Sequence, residues 1–595
     1  MIVPMKKATV LFRTTDSERT VTCLRALGAM QVEHLNIPES QDISALQETL
    51  ATLDAARDVM DRMMVPDTDR PSQKPISGDG VAVSNHILEL GRRLEQLGAS
   101  SVQFGDQIHT WERWGDVDQS QVRELNQHGV YLKLYEVPVK ETGNFPPDVV
   151  VKTVFTSGET AHCAALSRHP IDCAFPEVLP PRERLSLLQQ RLAEFSRERE
   201  SVKAEILEHM GYYQDLQEKR RDLGKEIEFQ QVLSGMGREG GISYITGYIP
   251  TDREEHLVAE AKARKWGILI SEPSADDVVP TLLRNPRWAN LIAPVLDFLG
   301  LTPGYRELDV SIPFLIFFTI FFGILIGDAG YGLAYILITV LLAFWLQRNR
   351  RLDSKTKTIV SLFVVLGTSA IVWGSLTGTF FGQTWLLNLG YRPMAPQLND
   401  PVFIQSFCFF LGALHLSLAH SWRAILKLPS LKALADVGYI CILWTAFFLS
   451  NTLILGEPFP SWGLWLVGTG VILVIVFTNP QVHVFRGIAE GVGTILMSFM
   501  NNITDVISYV RLFAVGLACL AIAETANTMA WEVSGFSTGI IAFLAGAVVL
   551  VIGHGLNLLL GPIGVLVHGV RLNVLEFSGH ANVTWSGMVF NPLKE

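Results

Sequence analysis

The sequence predicts a mixed fold in two parts. The first is a soluble, two-lobed α/β arm built on a long antiparallel coiled coil, and the second an all-α polytopic membrane domain. Three observations predict it. Residues 1–305 carry 34 Lys and Arg against 45 Asp and Glu, a net of −11, whereas residues 306–595 carry 14 and 13, a net of +1. The charge-poor half is divided into apolar runs long enough to cross a bilayer, and the charge-rich half contains none. Within the charge-rich half, apolar residues recur at the 3-4-3-4 spacing of helices that pair along a seam.

In order, KKATVLF, DSERTVTCLRALGA and MQVEHLN read as strand, helix and strand of a proximal lobe. Ile43, Leu46, Leu50, Leu53 and Met60 begin a heptad-like helix. A Pro/Gly/Ser-rich break follows, and Ile87, Leu90, Leu94, Leu97, Ser101, Phe104, Ile108 and Trp111 keep heptad spacing beyond it. VYLKLYEVP and VVVKTVFTS are strands of a distal lobe at about 120–180. A return helix then carries Leu185, Leu188, Leu192, Phe195, Val202 and Ile206, and residues 240–275 complete the proximal lobe before a linker that ends near 305. The simplest arrangement is a rod, out along one helical arm and back along the other; an ordinary helical domain with amphipathic faces is the plainer alternative.

Nothing in the arm has the pattern of a catalytic site: GxxxxGK[ST], HExxH and GxSxG are all missing. If ATP is involved, another chain hydrolyses it. No cofactor or metal is expected, because His162, Cys163, His169 and Cys173 match no usual zinc spacing. The six scattered cysteines form no disulfide framework, and the acidic balance argues against nucleic acid. The first 30 residues hold no apolar signal core, which keeps the N-terminus in the cytoplasm.

About eight spans fit the membrane half, at roughly 312–327, 329–347, 358–380, 402–422, 433–454, 462–478, 498–531 and 537–574. With both termini inside, RNRRLDSKTK and SWRAILKLPSLK face the cytoplasm with five and three basic residues, and the opposite loops together hold only Arg392. The last two spans are long and tilted: about 34 residues cover about 50 Å, against a hydrocarbon core of about 30 Å.

Arg511 lies in NNITDVISYVRLFAVGLACLAIAETANTMAW with no acidic residue within a helical turn. A mid-membrane arginine costs about 2.5–3.5 kcal/mol on insertion scales, so its partner is expected on another helix or another protein. Thr504, Ser508 and Arg511 share one helical face, and His554, Asn557, Gly561, Gly564, His568 and Arg571 form one stripe on the last helix. The glycines suit plain helix packing, and Arg571 suits a snorkelling arginine at the cytoplasmic end.

ITDVISYVRLFAVGLA, the helix ending HGVRLNVLEF, the hairpin FFGILIGDAGYG and the linker PTLLRNPRWANL…YRELD resemble the membrane-stator subunit of V-type and A-type rotary ATPases, subunit a or subunit I, over essentially the whole chain. The length suits a prokaryotic form in a bacterial or archaeal plasma membrane. The resemblance implies two ion half-channels formed against a rotating proteolipid ring, with Arg511 driving ion release from a rotor carboxylate and blocking leak. Arg571 would be the second arginine of that site, with His568 and Ser508 as polar neighbours. The arm would dock on peripheral stalk subunits, and the central stalk and ATPase head would be indirect partners. Glu490 and Asp505 are candidates for the cytoplasmic half-channel, Glu524, Asp328 and Asp436 for the opposite one, with His554 and Asn557 on the polar stripe. Eukaryotic members often carry a glutamate ten residues before the second arginine, where this chain has Gly561. Two readings stay open beside this one. A self-contained secondary transporter would need its own carboxylate near Arg511 and usually an internal repeat, and no repeat is visible. A membrane-anchored coiled-coil scaffold would leave Arg511 unexplained. The choice between H⁺ and Na⁺ is open.

Overall fold

The computed structural model describes residues 1–63, 80–349, 353–383, 390–478, 497, 499–535 and 540–594. Two compact units emerge. One comprises Leu11–Gly28, Val32–Thr246 and Leu593–Glu595, the other Met1–Val10, Ala29–Gln31 and Gly247–Pro592.

In chain order the arm elements are β1 (Met5–Arg13), α1 (Ser17–Leu27), β2 (Gln31–Glu33), α2 (Gln41–Met63), α3 (Gly80–Trp111), α4 (Gln119–Gln127), β3 (Tyr131–Pro138), β4 (Val150–Ser157), β5 (Thr160–Ser167), β6 (Glu177–Val178), α5 (Leu185–Glu208), α6 (Tyr213–Gly235), β7 (Gly237–Glu239) and β8 (Ile242–Pro250). Helix α3 packs along α5, and α2 along α3 and α6. The seams are made by the periodic residues: Leu90 and Leu97 meet Val202 and Ile206, while Ala56, Met60 and Ile87 meet Tyr212 and Leu216. Ile206 is fully buried.

Strands β4-β5-β3-β6 form one antiparallel sheet, with Tyr131 opposite Ser167 and a bulge between Thr153 and Phe155. Side chains alternate along β5. Cys163 therefore enters the core, while His162 stacks on Phe155 with ring centroids 4.1 Å apart. The two residues leave opposite faces of one strand and do not converge on one ion. Helix α4 opens on a capping box: Asp118 accepts from the Gln121 amide at 2.8 Å, and the Gln121 side chain accepts from the Asp118 amide at 3.2 Å.

The other sheet orders its strands β2-β8-β1-β9, where β9 is Gly267–Ser271 after α7 (Glu254–Arg264). Gly247 is required there, since a Cβ on it would lie 2.1 Å from the Gln31 carbonyl oxygen. A short helix α8 (Ala293–Leu299) leads into the apolar helices. Glu307, in the linker, accepts from the amides of Gly304 at 2.7 Å and Thr584 at 2.8 Å. Burial works to raise its pKa, but these bonds and those from the Thr584 hydroxyl and the Trp585 amide outweigh it and hold the carboxyl below the usual range.

The apolar helices are α9 (Ser311–Ile326), α10 (Ala329–Asn349), α11 (Ser354–Thr377), α12 (Pro401–Lys427), α13 (Ala433–Ser450), α14 (Gly463–Phe477), α15 (Val510–Gly535) and α16 (Ile540–Gly564). Among the described residues six helical stretches are long and apolar enough to cross a membrane; α9 and α14 are shorter. Helix α9 is covered along most of its length, with Phe314, Phe321 and Phe322 in the main core. Pairs α10–α11 and α13–α14 approach through glycines. A Cβ on Gly332 would lie 2.7 Å from the Gly367 oxygen, and one on Gly438 2.8 Å from the Gly470 oxygen.

Two outcomes follow from these contacts. Ile206→Ala removes a buried side chain from the α3–α5 seam and is expected to destabilise the chain by about 2–5 kcal/mol in denaturant titrations followed by circular dichroism. At Asp118, bonds from the Ser120 hydroxyl, then the Gln121 amide and Arg184, overcome burial and hold the carboxyl below its ordinary value. A depressed carboxyl stabilises the fold above its unfolded pKa of about 3.9, and that contribution fades as pH falls through the lower folded value. Asp118→Ala should therefore cost about 0.5–2 kcal/mol at pH 7 and approach nothing in acid, measured by melting the two proteins across pH.

Candidate functional site

Arg511 stands at a break in its helix. Over Phe499–Gly535 the regular hydrogen bonding tightens just before α15. The amides of Tyr509, Arg511 and Leu512 bond to carbonyls three residues back, at 3.2, 3.3 and 3.0 Å. Arg511 Nε folds back and donates to the Ser508 carbonyl at 2.9 Å. The Ser508 hydroxyl is used elsewhere, donating to the Thr504 carbonyl at 2.9 Å, so Ser508 touches Arg511 through its main chain.

Of the two places expected for a partner of Arg511, another helix or another protein, the first holds one within this chain. Arg511 Nη2 donates to Glu576 Oε1 at 2.6 Å, and Arg571 Nε lies 3.7 Å from the same oxygen. The Glu576 side chain is 5% exposed, against 22% for Arg511 and 55% for Arg571. One covered carboxylate thus sits between two more exposed guanidiniums, and its second oxygen is buried with no hydrogen-bond partner among the described residues.

Sequence periodicity hid Glu576 for a definite reason. Five residues along an α-helix is a rotation of about 140° from Arg571, on the wrong face. After α16 the helix widens twice: Val565–Gly569 and Leu572–Phe577 are π turns, and α-helical geometry returns at Ser578–Ala581. A π turn bonds residue i to i+5 and brings Glu576 back beneath Arg571. The same turns break the predicted stripe. Asn557 and Gly561 are buried as a stripe requires, but beyond Gly564 the covered positions become Val565, Gly569, Leu572, Asn573 and Glu576, which leaves Arg571 exposed. His568 lies in the first π turn, its Nδ1 buried and without a partner among the described residues.

Behind the pair, Tyr509 is fully buried and bonds through its hydroxyl to His415 Nδ1 at 2.8 Å. The His415 ring is stacked between Phe317 and Phe577, with centroids 3.8 and 4.3 Å away. Helix α9, through Phe317, and α12, through His415, therefore hold Tyr509, two before Arg511, and Phe577 of the second π turn, next to Glu576.

The comparisons with known proteins bear directly on this site's setting. No family model matches the sequence. The V-type ATP synthase subunit I 1 of Treponema pallidum (strain Nichols) is 31% identical over 646 residues, covering 100% of both chains. The chain belongs to the V/A-type ATP synthase subunit I family. The V-type ATP synthase subunit I of Borreliella burgdorferi is 28% identical over 620 residues and 100% of both chains. The A-type ATP synthase subunit I of Methanocaldococcus jannaschii is 24% identical over 70% of this chain and 64% of its own. A crystal structure of the cytoplasmic N-terminal domain of a subunit I, homolog of subunit a, of V-ATPase matches 45% of this chain and all of its own at 12% identity, with a TM-score of 0.21, too low to add to the fold. Like the family, this subunit I is an integral membrane protein of bacterial or archaeal type and a non-catalytic membrane subunit of the V/A-ATPase assembly.

Within this subunit I the remaining candidate residues fall into two groups. Asp505 bonds to His580 Nε2 at 3.1 Å, His580 Nδ1 to His420 Nε2 at 2.9 Å, and His420 Nδ1 to Asp436 at 3.3 Å. Asp436 also contacts Arg423 Nε at 3.4 Å and Lys427. The assignment of Asp436 to the half-channel opposite Asp505 is thereby corrected: it follows the basic Arg423–Lys432 segment and joins Asp505 at the same end. Neither histidine was singled out by sequence, since α12 and the Ser578–Ala581 segment supply them 160 residues apart.

The second group lies about 24 Å further along the helix from Arg511, counting to Asn527 at 1.5 Å per residue. His554 bonds to the Tyr331 hydroxyl at 2.6 Å and to Asn527 Oδ1 at 3.1 Å, and Asn527 donates to the Phe381 carbonyl at 2.7 Å. Asp328 is buried and accepts four backbone amides, from Gly330 at 2.7 Å, Tyr331 at 3.1 Å, and Phe381 and Gly382 at 2.8 Å each. Its oxygens are occupied in bracing the α9–α10 turn to the 380–382 loop, which is a cap's task. Asn557 donates to the Cys519 carbonyl at 2.8 Å, and Glu524 is exposed. Glu490 lies outside the described residues.

Asp328→Ala strands four amides, two of them buried, and a stranded buried amide costs roughly 1–3 kcal/mol. The detergent-solubilised chain should melt well below the parent, and Asp328→Asn, whose amide oxygen can keep three of the bonds, should fall between them. Equal melting of the alanine variant and the parent would remove the bracing role.

Proposed function

We propose that this subunit I is the stator of the ion-translocating membrane sector, that its eight apolar helices all cross the bilayer, and that its arm docks on peripheral stalk subunits. Its last two long helices, α15 and α16 with their extensions, would face the proteolipid ring. The observation that carries this is the shared carboxylate. Two arginines on the two longest apolar helical stretches are held by one buried Glu576, with Arg511 itself partly accessible. An arginine presented this way attracts an anionic carboxylate on a passing partner. An opposite charge within about 4–6 Å lowers a carboxyl pKa by about 1–3 units, so a rotor carboxylate reaching Arg511 gives up its ion. The fixed positive charges also repel cations, which hinders leak between the two access paths. A rotor carboxylate must in this reading compete with Glu576 for Arg511.

Glu576 also meets the condition set for a self-contained transporter, an internal carboxylate beside Arg511. Membership in the subunit I family over the whole chain and the lack of an internal repeat weigh for the rotary reading.

Arg511→Ala in the whole complex is expected to abolish ATP-driven ion uptake by membrane vesicles while the ring and ATPase head still co-purify. Near-normal uptake by that variant, or full activity from the chain purified alone, would sink the rotary reading.

A further inference from the structure

The linker motifs PTLL (280–283) and YRELD (305–309) both hold the tail that follows Glu576. Thr281 donates its amide to the Met588 carbonyl at 2.7 Å and accepts from the Phe590 amide at 3.0 Å, which makes a parallel bridge with Val589. Thr302 forms a second parallel bridge, with Ser586, and accepts from the Gly587 amide at 3.0 Å. A Cβ on Gly587 would lie 2.1 Å from the Pro303 carbonyl oxygen, so glycine is what lets the tail lie this close. Glu307 fastens the same segment. One of its oxygens takes the Gly304 amide of its own turn, and the other takes the amide and the hydroxyl of Thr584.

The held segment is packed at both ends. At the near end Val583 is buried with Phe577, Ala581, Ala419 and Val310, and Trp585 packs against that group. At the far end Phe590 packs on Met5 of β1, Tyr248 of β8 and Val279, and the Asn591 amide donates to Gln31 Oε1 at 2.8 Å. Between them Trp585 holds a φ of +58°, a left-handed conformation that is unfavourable for a bulky residue and persists only where the surroundings enforce it. Its neighbours Thr584 and Ser586 are the residues fastened to Glu307 and Thr302, so the strained position lies between two fixed points.

Resting on the stator reading above, we propose that residues 582–592 are a tether for the Arg511–Glu576 site, with Glu307 a positioning residue that acts through it. Glu576 depends on the second π turn for its place beneath Arg571. A π turn is a rare form that the surrounding structure must support, and relaxation to 3.6 residues per turn would rotate Glu576 toward the other face of its helix. Only the short Ser578–Ala581 helix and a turn at Asn582 separate that π turn from the tether. Fixing the chain at Thr584 and Ser586 therefore denies the last turns the freedom to rewind, and keeps the carboxylate against both arginines.

The test uses the assembled complex, purified through a tag on this subunit and placed in proteoliposomes. ATP-driven ion uptake is read as membrane potential with an oxonol dye and divided by the ATP hydrolysed. Complexes that fail to form lower both quantities together and leave the ratio unchanged, whereas a displaced Glu576 lowers the ratio. Glu307→Ala frees Thr584, and Gly587→Ala drives the tail off Pro303. Each should lower the ratio by about fivefold, the equivalent of one hydrogen bond, while the ring still co-purifies. Thr302→Cys with Ser586→Cys, added to Glu307→Ala, places two thiols across the parallel bridge. The oxidised cross-link should restore the ratio and reduction should lower it again, with Glu307→Ala alone indifferent to both treatments. Should Glu307→Ala fail to assemble, Thr584→Val, which removes only the hydroxyl bond, should lower the ratio by about twofold. A ratio equal to the parent's in the tether variants, with Arg511→Ala inactive, would overturn the tether and leave the stator reading standing. A lowered ratio that the formed cross-link does not restore would overturn it as well. Activity in Arg511→Ala would instead remove the reading on which the tether rests.

Discussion

A single buried carboxylate organises the end of this molecule. A guanidinium in an apolar helix is costly unless a countercharge accompanies it, and Glu576 is that countercharge for Arg511. Bringing it within 2.6 Å is not something a regular helix can do. The last helix must take two π turns, and the preceding one must tighten at Ser508–Tyr509. Irregular backbone at membrane depth survives only where protein or an internal cavity covers it. The clamp of Tyr509, His415, Phe317 and Phe577 provides that cover. The helical defects and the aromatic packing behind them both accompany the holding of one anion against two cations.

The exposures of the three charged groups rank in a useful order. The carboxylate is the deepest and Arg571 the shallowest, with Arg511 between. Removing a partner from a buried pair is more costly than the pair is favourable, so the deep member is the one the fold cannot leave alone. Arg511, being accessible, can be shared with something outside this chain at lower cost than Glu576 can be abandoned. Family membership supplies the context in which such sharing matters; the geometry supplies its energetic terms.

How much of this was legible in the sequence depended on periodicity. The seam residues Leu90, Leu97, Val202 and Ile206 are buried where heptad spacing put them, because pairing helices bury the residues that recur every three and four positions. The apolar helices were visible from length and hydropathy. Arg511 and Arg571 stood out as charges in apolar runs. Glu576 stood in plain view in HGVRLNVLEF yet failed the same arithmetic, since that arithmetic assumes 3.6 residues per turn and the chain there does not have them. His420 and His580 carried no local signal, because their relation is tertiary and 160 residues separate them. Asp436 was misplaced because its partners across the α12–α13 turn, His420 and Lys427, were not weighed against it.

The helix of Arg511 is fastened near both of its ends. At one end the guanidinium is tied to Glu576; at the other, Asn527 holds the Phe381 carbonyl, and a Cβ on Gly382 would come within 2.5 Å of Ala523. The 380–382 loop is itself anchored by Asp328. A beam pinned at two points resists bending far better than one held at a single support. A sideways push on Arg511 would therefore pass into the packed helices as a load on their frame and would not be dissipated by flexing of the helix that receives it.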